Sequence, residues 1–239
     1  MSEELKTGYD WNQTEFALRF NGGTAAKPAY VTHILERPTL VQLQEREKLA
    51  AMESVSASGG DEIETDNIKA DLTLWRAIVR RVSGYKAPGI DPAIETQVGQ
   101  ELADRLPAAH KLRAIQMLTA TECEIEREEA NADEYFDLGA ETVRVVQTIH
   151  GCKVVHELRN PNDKEYAAFK PVKVSTTKAG KQTGTRIQGN LRAFVELYDK
   201  LIQTVDGEAA TFKLRTIDPL SKRAVINCLL DAYNVTAQD

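Results

Sequence analysis

Two histidines, His33 and His156, sit in closely similar sequence surroundings. Val31-Thr32-His33-Ile34-Leu35-Glu36-Arg37-Pro38 and Val154-Val155-His156-Glu157-Leu158-Arg159-Asn160-Pro161 share Val, His, Leu and Pro at matching positions. Imidazole is the side chain that exchanges a proton or binds a metal near neutral pH, so a paired histidine site is the first chemistry to weigh. A strand alternates its side chains, which places Val31, His33 and Leu35 on one face and Thr32, Ile34 and Glu36 on the other. His33 then shares an apolar face, as His156 does between Val154 and Leu158. That pattern points to histidines held by local hydrogen bonds. His110, expected at a helix start, and His150, expected in a turn, show no partner in the sequence.

Paired carboxylates are the next candidates for acid–base work. The richest clusters, Asp61 to Asp66 and Glu122 to Glu129, are expected in an exposed loop and on an exposed helix. The first lacks the glycine and ordered ligand alternation of a calcium loop. Cys123, Cys152 and Cys228 are scattered without metal-type spacing and read as free thiols. The sequence contains no glycine-rich phosphate loop, paired zinc histidines, nucleophile elbow or Cys-x-x-Cys pair. The expectation is therefore a non-enzymatic protein, with no catalytic residue, metal ligand or cofactor assigned.

Charge supplies a different kind of candidate. A loop carrying Asp61, Glu62, Glu64 and Asp66 has a counterpart carrying Lys170, Lys173, Lys178, Lys181 and Arg186. Opposite charges on equivalent segments could steer one copy of the chain toward another in head-to-tail assembly. Lys173, Lys178, Lys181, Arg186, Asp61, Glu62 and Glu64 are thus the expected partner-binding residues. A nucleic-acid contact through residues 170–186 is a further reading, weakened by the lack of interleaved aromatics for base stacking.

The elements that position these groups repeat at a constant offset of 123 residues. Beyond the histidine segments, Asn67-Ile68-Lys69-Ala70 matches Asn190-Leu191-Arg192-Ala193, and Leu74, Trp75, Ile78, Val82 and Gly84 match Leu197, Tyr198, Leu201, Val205 and Gly207. Each copy opens with a predicted hairpin: Phe16–Phe20 with Ala29–Leu35, and Val143–Ile149 with Lys153–Leu158 across His150-Gly151. Pro38-Thr39 and Pro161-Asn162-Asp163 mark helix starts. Polar loops are expected over 54–62 and 174–181. A central helix follows in each copy, with Gly84 and Gly207 as its stops. A last helix begins near Leu106 and near Asp218, where the offset falls to 111. About twelve additional residues in the first copy are expected within 86–97, and the acidic 122–129 segment is expected to extend the first copy's last helix. The fold expected is α+β: two tandem homologous units, roughly 10–130 and 139–239, each a β-hairpin followed by about three helices.

The junction Leu35-Glu36-Arg37-Pro38-Thr39-Leu40-Val41-Gln42-Leu43, repeated as Leu158-Arg159-Asn160-Pro161-Asn162-Asp163-Lys164-Glu165, resembles the strand-to-helix segment of tailed-phage tail assembly chaperones and related prophage tail accessory proteins. That resemblance implies a short hairpin packed with a few helices. It also implies a role in binding tail or other phage structural proteins before assembly, and a cytoplasmic or virion-associated location.

Composition sets broader bounds. Apolar residues make up 42% of the 239-residue chain and charged residues 28%, ordinary values for a globular protein. The net charge of -6 argues against a generally nucleic-acid-binding surface. No apolar run approaches the roughly 20 residues of a membrane span, and Met1-Ser2-Glu3-Glu4-Leu5-Lys6 lacks the apolar stretch of a signal peptide. The sequons at Asn12 and Asn234 then read as chance. The leading expectation is a binding or assembly protein with protein partners, self-association among them. The alternative is a small-ligand protein or enzyme whose site lies between the two units, near His33 and His156.

Overall fold

A computed structural model describes residues 6–7, 9–57, 60–64, 66–126, 142–179, 182–210, 214 and 216–231. In chain order, β1 (Lys6–Thr7) precedes a hairpin of β2 (Glu15–Asn21) and β3 (Tyr30–Glu36), then α1 (Leu40–Leu49). The antiparallel pair β4 (Met52–Ala57) and β5 (Gly60–Glu64) follows, then α2 (Asn67–Ile78), which runs directly into β6 (Val79–Ser83). Next come β7 (Thr96–Gln97), α3 (Gln100–Arg105), α4 (Ala108–Thr119) and β8 (Thr121–Ile125). The remaining chain forms β9 (Thr142–Ile149), β10 (Cys152–Arg159), α5 (Asp163–Ala168), β11 (Val172–Ala179) and β12 (Gln182–Gly189). It ends with α6 (Leu191–Leu201), β13 (Ile202–Val205), β14 (Glu208–Ala209) and α7 (Pro219–Asp231). The protein is α+β, and its sheets are antiparallel apart from the short β1–β10 contact.

The chain packs as two compact units. One gathers the described residues of 13–119 and 172–189; the other gathers those of 1–12, 120–171 and 190–239. These limits differ from the expected 10–130 and 139–239. The acidic segment expected as a helical connector is instead β8, paired with β9; residues 127–129 lie outside the described residues. Alternation explains β8: Thr121, Cys123 and Ile125 are half-buried while Glu122 and Glu124 are exposed, the period of a strand.

In the 13–119 unit, β2 buries Phe16, Leu18 and Phe20 on one face and exposes the residues between them. It sets Leu18 opposite His33. A two-stranded hairpin is marginal in water, and β6 supplies the third strand, pairing Val82 with His33. This overturns one expectation. The spacing of Val79 and Val82 continues the helical period, yet α2 stops at Ile78 because β-branched Val79 turns extended (φ -69, ψ 136) to complete the sheet. The glycines are therefore strand-end turns and not helix stops. At Gly84 φ is +86, and an added Cβ would lie 2.3 Å from the Tyr30 carbonyl oxygen. Leu74, Trp75 and Ile78 of α2 and Ala114, Ile115 and Leu118 of α4 fill the core beneath.

In the unit containing 120–171, α6 likewise ends at Leu201 and hands over to β13, which sets Val205 opposite His156. His150-Gly151 and Asp206-Gly207 each carry two successive positive φ angles, the geometry of the tight hairpin turns that join β9 to β10 and β13 to β14. The core holds Val145, Val154, Leu158, Leu197, Leu201, Val225 and Ile226.

Both expected helix starts are capping boxes. The Thr39 hydroxyl accepts from the Gln42 amide and the Asn162 side chain from the Glu165 amide, while the Gln42 and Glu165 side chains return to the cap amides. Among the described residues no helix is long and apolar enough to cross a membrane.

Candidate functional site

The histidines were the strongest chemical candidates, and their hydrogen bonds define what they can do. Trp75 Nε1, which can only donate, lies 3.0 Å from His33 Nδ1. His33 Nδ1 therefore accepts, and the ring's proton sits on Nε2, which donates to the Tyr85 hydroxyl at 2.8 Å. That hydroxyl lies 2.9 Å from His110 Nδ1, and His110 Nε2 donates to the Gly22 carbonyl at 3.0 Å. Burial first, then the nearby His110 and Lys111, hold the His33 pKa down at about 4, so the ring is neutral. Burial also raises the Tyr85 phenol pKa.

His156 has the same tautomer from different partners. The Gln147 amide nitrogen faces the Thr121 hydroxyl at 2.9 Å and the Ser221 carbonyl at 3.5 Å. Its oxygen is thereby turned to accept from His156 Nε2 at 3.1 Å. His156 Nδ1 accepts from the Tyr198 hydroxyl at 2.8 Å. Burial drives the His156 pKa down to about 3. A lysine stands over each partner ring: Lys111 Nζ is 5.2 Å from the Trp75 centroid, and Lys222 Nζ is 5.5 Å from that of Tyr198. Lys222 also donates to Asp199 at 2.5 Å and to the Leu214 carbonyl at 2.7 Å.

Neither imidazole keeps a free nitrogen, and each is fully buried within its own compact unit. Both histidines are committed to hydrogen bonds inside their own cores. Tyr85 and His110 are distant from His33 in sequence, whereas Gln147 is on the neighbouring strand of the His156 hairpin; Trp75 and Tyr198 could have been anticipated from their shared offset. Cys123 and Cys228 are half-buried free thiols. Burial raises both pKa values, that of Cys123 to about 12, which leaves them protonated and weakly nucleophilic. Among the described residues no group of three or more His, Cys, Asp or Glu side chains is placed to hold a metal ion. In the unit containing 120–171, a groove of about 450 Å³ is lined by Asn160, Pro161, Asp163, Tyr166, Ala167 and Leu230. Among the described residues its titratable lining groups are Asp163 and Tyr166.

The expected partner-binding residues have a different fate. The segments read as exposed polar loops are strands, and they join in one four-stranded sheet ordered β11-β12-β4-β5. Asp61, Glu62 and Glu64 lie on β5; Lys173 and Lys178 lie on β11; Arg186 lies on β12. Lys181 is outside the described residues. Two isolated hairpins rich in Ser, Thr and Val would each be marginal, and pairing β12 with β4 makes four strands of them. The acidic and basic strands occupy opposite edges. Three strand spacings separate them, about 14 Å, which exceeds the screening length of about 8 Å at physiological ionic strength.

The sheet has two unlike faces. Arg186 is half-buried and donates to the Lys48 carbonyl at 2.6 Å, which lays that face on α1. Committed there, Arg186 is lost to the basic surface that a nucleic-acid contact would use. On the opposite face Val174 pairs with Ile187, and Ile187 with Met52, in one row across three strands. All three are exposed, at 62%, 39% and 42%, as is neighbouring Val172 at 50%. The alternation of Val172-Lys173-Val174 was the available signal for this row.

Comparison with known proteins finds no family model, curated protein or solved structure that matches this chain.

Proposed function

We propose that this chain is a non-enzymatic assembly protein that works by presenting surfaces to protein partners. The observation that carries this reading is the four-stranded sheet with an exposed apolar row and two edge strands, acidic and basic in sequence, that pair on one side each among the described residues. Open edges accept a further strand through main-chain hydrogen bonds, and a neighbouring apolar row adds affinity. The histidines support the same reading from the other side, since each is committed to structural hydrogen bonds.

We further infer that one packing unit has been duplicated. Support comes from the shared offset of His33 and His156 on equivalent strands, each with an aromatic donor at Nδ1 and a lysine over that donor's ring. On the strand-to-helix resemblance, the partners would be phage tail or other structural proteins, met in the cytoplasm or in the virion. Gel filtration and cross-linking of the chain co-expressed with the products of neighbouring genes test this reading. A stable complex disrupted by Val174→Glu or Ile187→Glu is expected. A chain that remains alone with every neighbour would overturn it.

A further inference from the structure

The geometry points to a second copy of this chain as an occupant of the sheet's edges, with the acidic edge of one copy pairing with the basic edge of the next. This inference deepens the assembly reading and rests on it. Among the described residues β5 pairs only with β4, and β11 only with β12, so each keeps one edge unpaired. Such edges invite pairing with another chain unless something blocks them.

Strand direction and charge together select the partner. The steps β11 to β12, β12 to β4 and β4 to β5 are all antiparallel. The two outer strands therefore run in opposite directions. A neighbouring copy displaced sideways sets its β11 antiparallel to β5, the commoner and slightly more stable arrangement. The β5 sequence Gly60-Asp61-Glu62-Ile63-Glu64 carries three acids and no base, while β11, Val172 to Ala179, carries Lys173 and Lys178 and no acid. Pairing β5 with β5, or β11 with β11, opposes like charges, which is destabilising across a strand pair. Pairing β5 with β11 opposes unlike charges. The lysines thus guard one edge against itself while leaving it complementary to the other.

The apolar row fits the same arrangement. Val174, Ile187 and Met52 run across the sheet along the direction in which further copies would add. Val174 carries the row to the basic edge, so a neighbouring copy paired there would shield that end. The contact is heterologous, so repetition closes into a ring or continues as a filament.

The test uses the full chain in sedimentation velocity over a range of concentration and salt. Association that grows with concentration and weakens with salt is expected. A basic-edge reversal, Lys173→Glu with Lys178→Glu, and an acidic-edge reversal, Asp61→Lys, Glu62→Lys and Glu64→Lys, should each weaken self-association by more than about tenfold. Mixing the two variants should restore it, because one then carries two acidic edges and the other two basic edges. Restoration also shows that the variants are folded. A monomeric wild-type chain overturns the inference, as does association that persists in both variants or fails to return on mixing. A wild-type monomer that still captures a neighbouring gene product through Val174 and Ile187 would remove self-assembly and leave the assembly reading standing. Loss of both would remove both.

Discussion

Lowering the pH from 7 to 5 should destabilise this protein before most of its carboxylates titrate. His33 and His156 are buried and neutral, with pKa values held at about 4 and about 3 against an ordinary 6.5. As pH falls below 6.5 the unfolded chain takes up protons that the folded chain refuses, so the equilibrium moves toward the unfolded state. Stability from these groups is complete above pH 6.5 and is lost as pH falls toward the folded pKa values. Each pKa unit corresponds to 1.36 kcal/mol, which gives a loss of about 2 kcal/mol per histidine between pH 7 and pH 5, or about 4 kcal/mol for the pair. Glu165, held at about 2 by Arg159 and the Asn162 amide, keeps its charge throughout this window. Urea unfolding at half-unit pH steps measures the slope. Because the histidines belong to different compact units, two resolved transitions should each shift by one histidine's share. A flat or rising stability from pH 7 to pH 5 would refute the assignment of two neutral, locked imidazoles.

Three further outcomes follow from the same contacts. Tyr198→Phe removes the hydroxyl donating to His156 Nδ1 and should cost about 1–3 kcal/mol in urea unfolding. Ring nitrogen chemical shifts should place the proton on Nε2 of both buried histidines; a proton on Nδ1 of either would break the donor logic at Trp75 or Tyr198. Gly207→Ala, with φ +76 and open space around it, should cost about 1–2 kcal/mol from backbone strain alone. Gly84→Ala adds a collision with the Tyr30 carbonyl, so its melting temperature should fall clearly further, and equal losses would contradict the close approach.

Some of this was legible in the chain because it is local chemistry. Thr39 and Asn162 cap helices because a short oxygen-bearing side chain can reach first-turn amides. His150-Gly151 makes its turn because both residues tolerate a left-handed backbone. Strand alternation was enough to place His33 and His156 on the buried face, and so to read them as packing groups before any partner was known.

Pairing between distant segments decided the rest. Val79 and Ile202 leave their helices because an open hairpin edge gains a third strand, a competition invisible to the 3.6-residue period. Residues 54–62 and 174–181 read as polar loops, since neither hairpin has a hydrophobic run of its own; four strands together hold what two could not. The sequence by itself determined that two segments of opposite charge exist. Only the tertiary structure put them on opposite edges of one sheet, about 14 Å apart and beyond the screening length. The reason is backbone hydrogen bonding: among the described residues β12 and β4 pair on both sides, while β5 and β11 each pair on one.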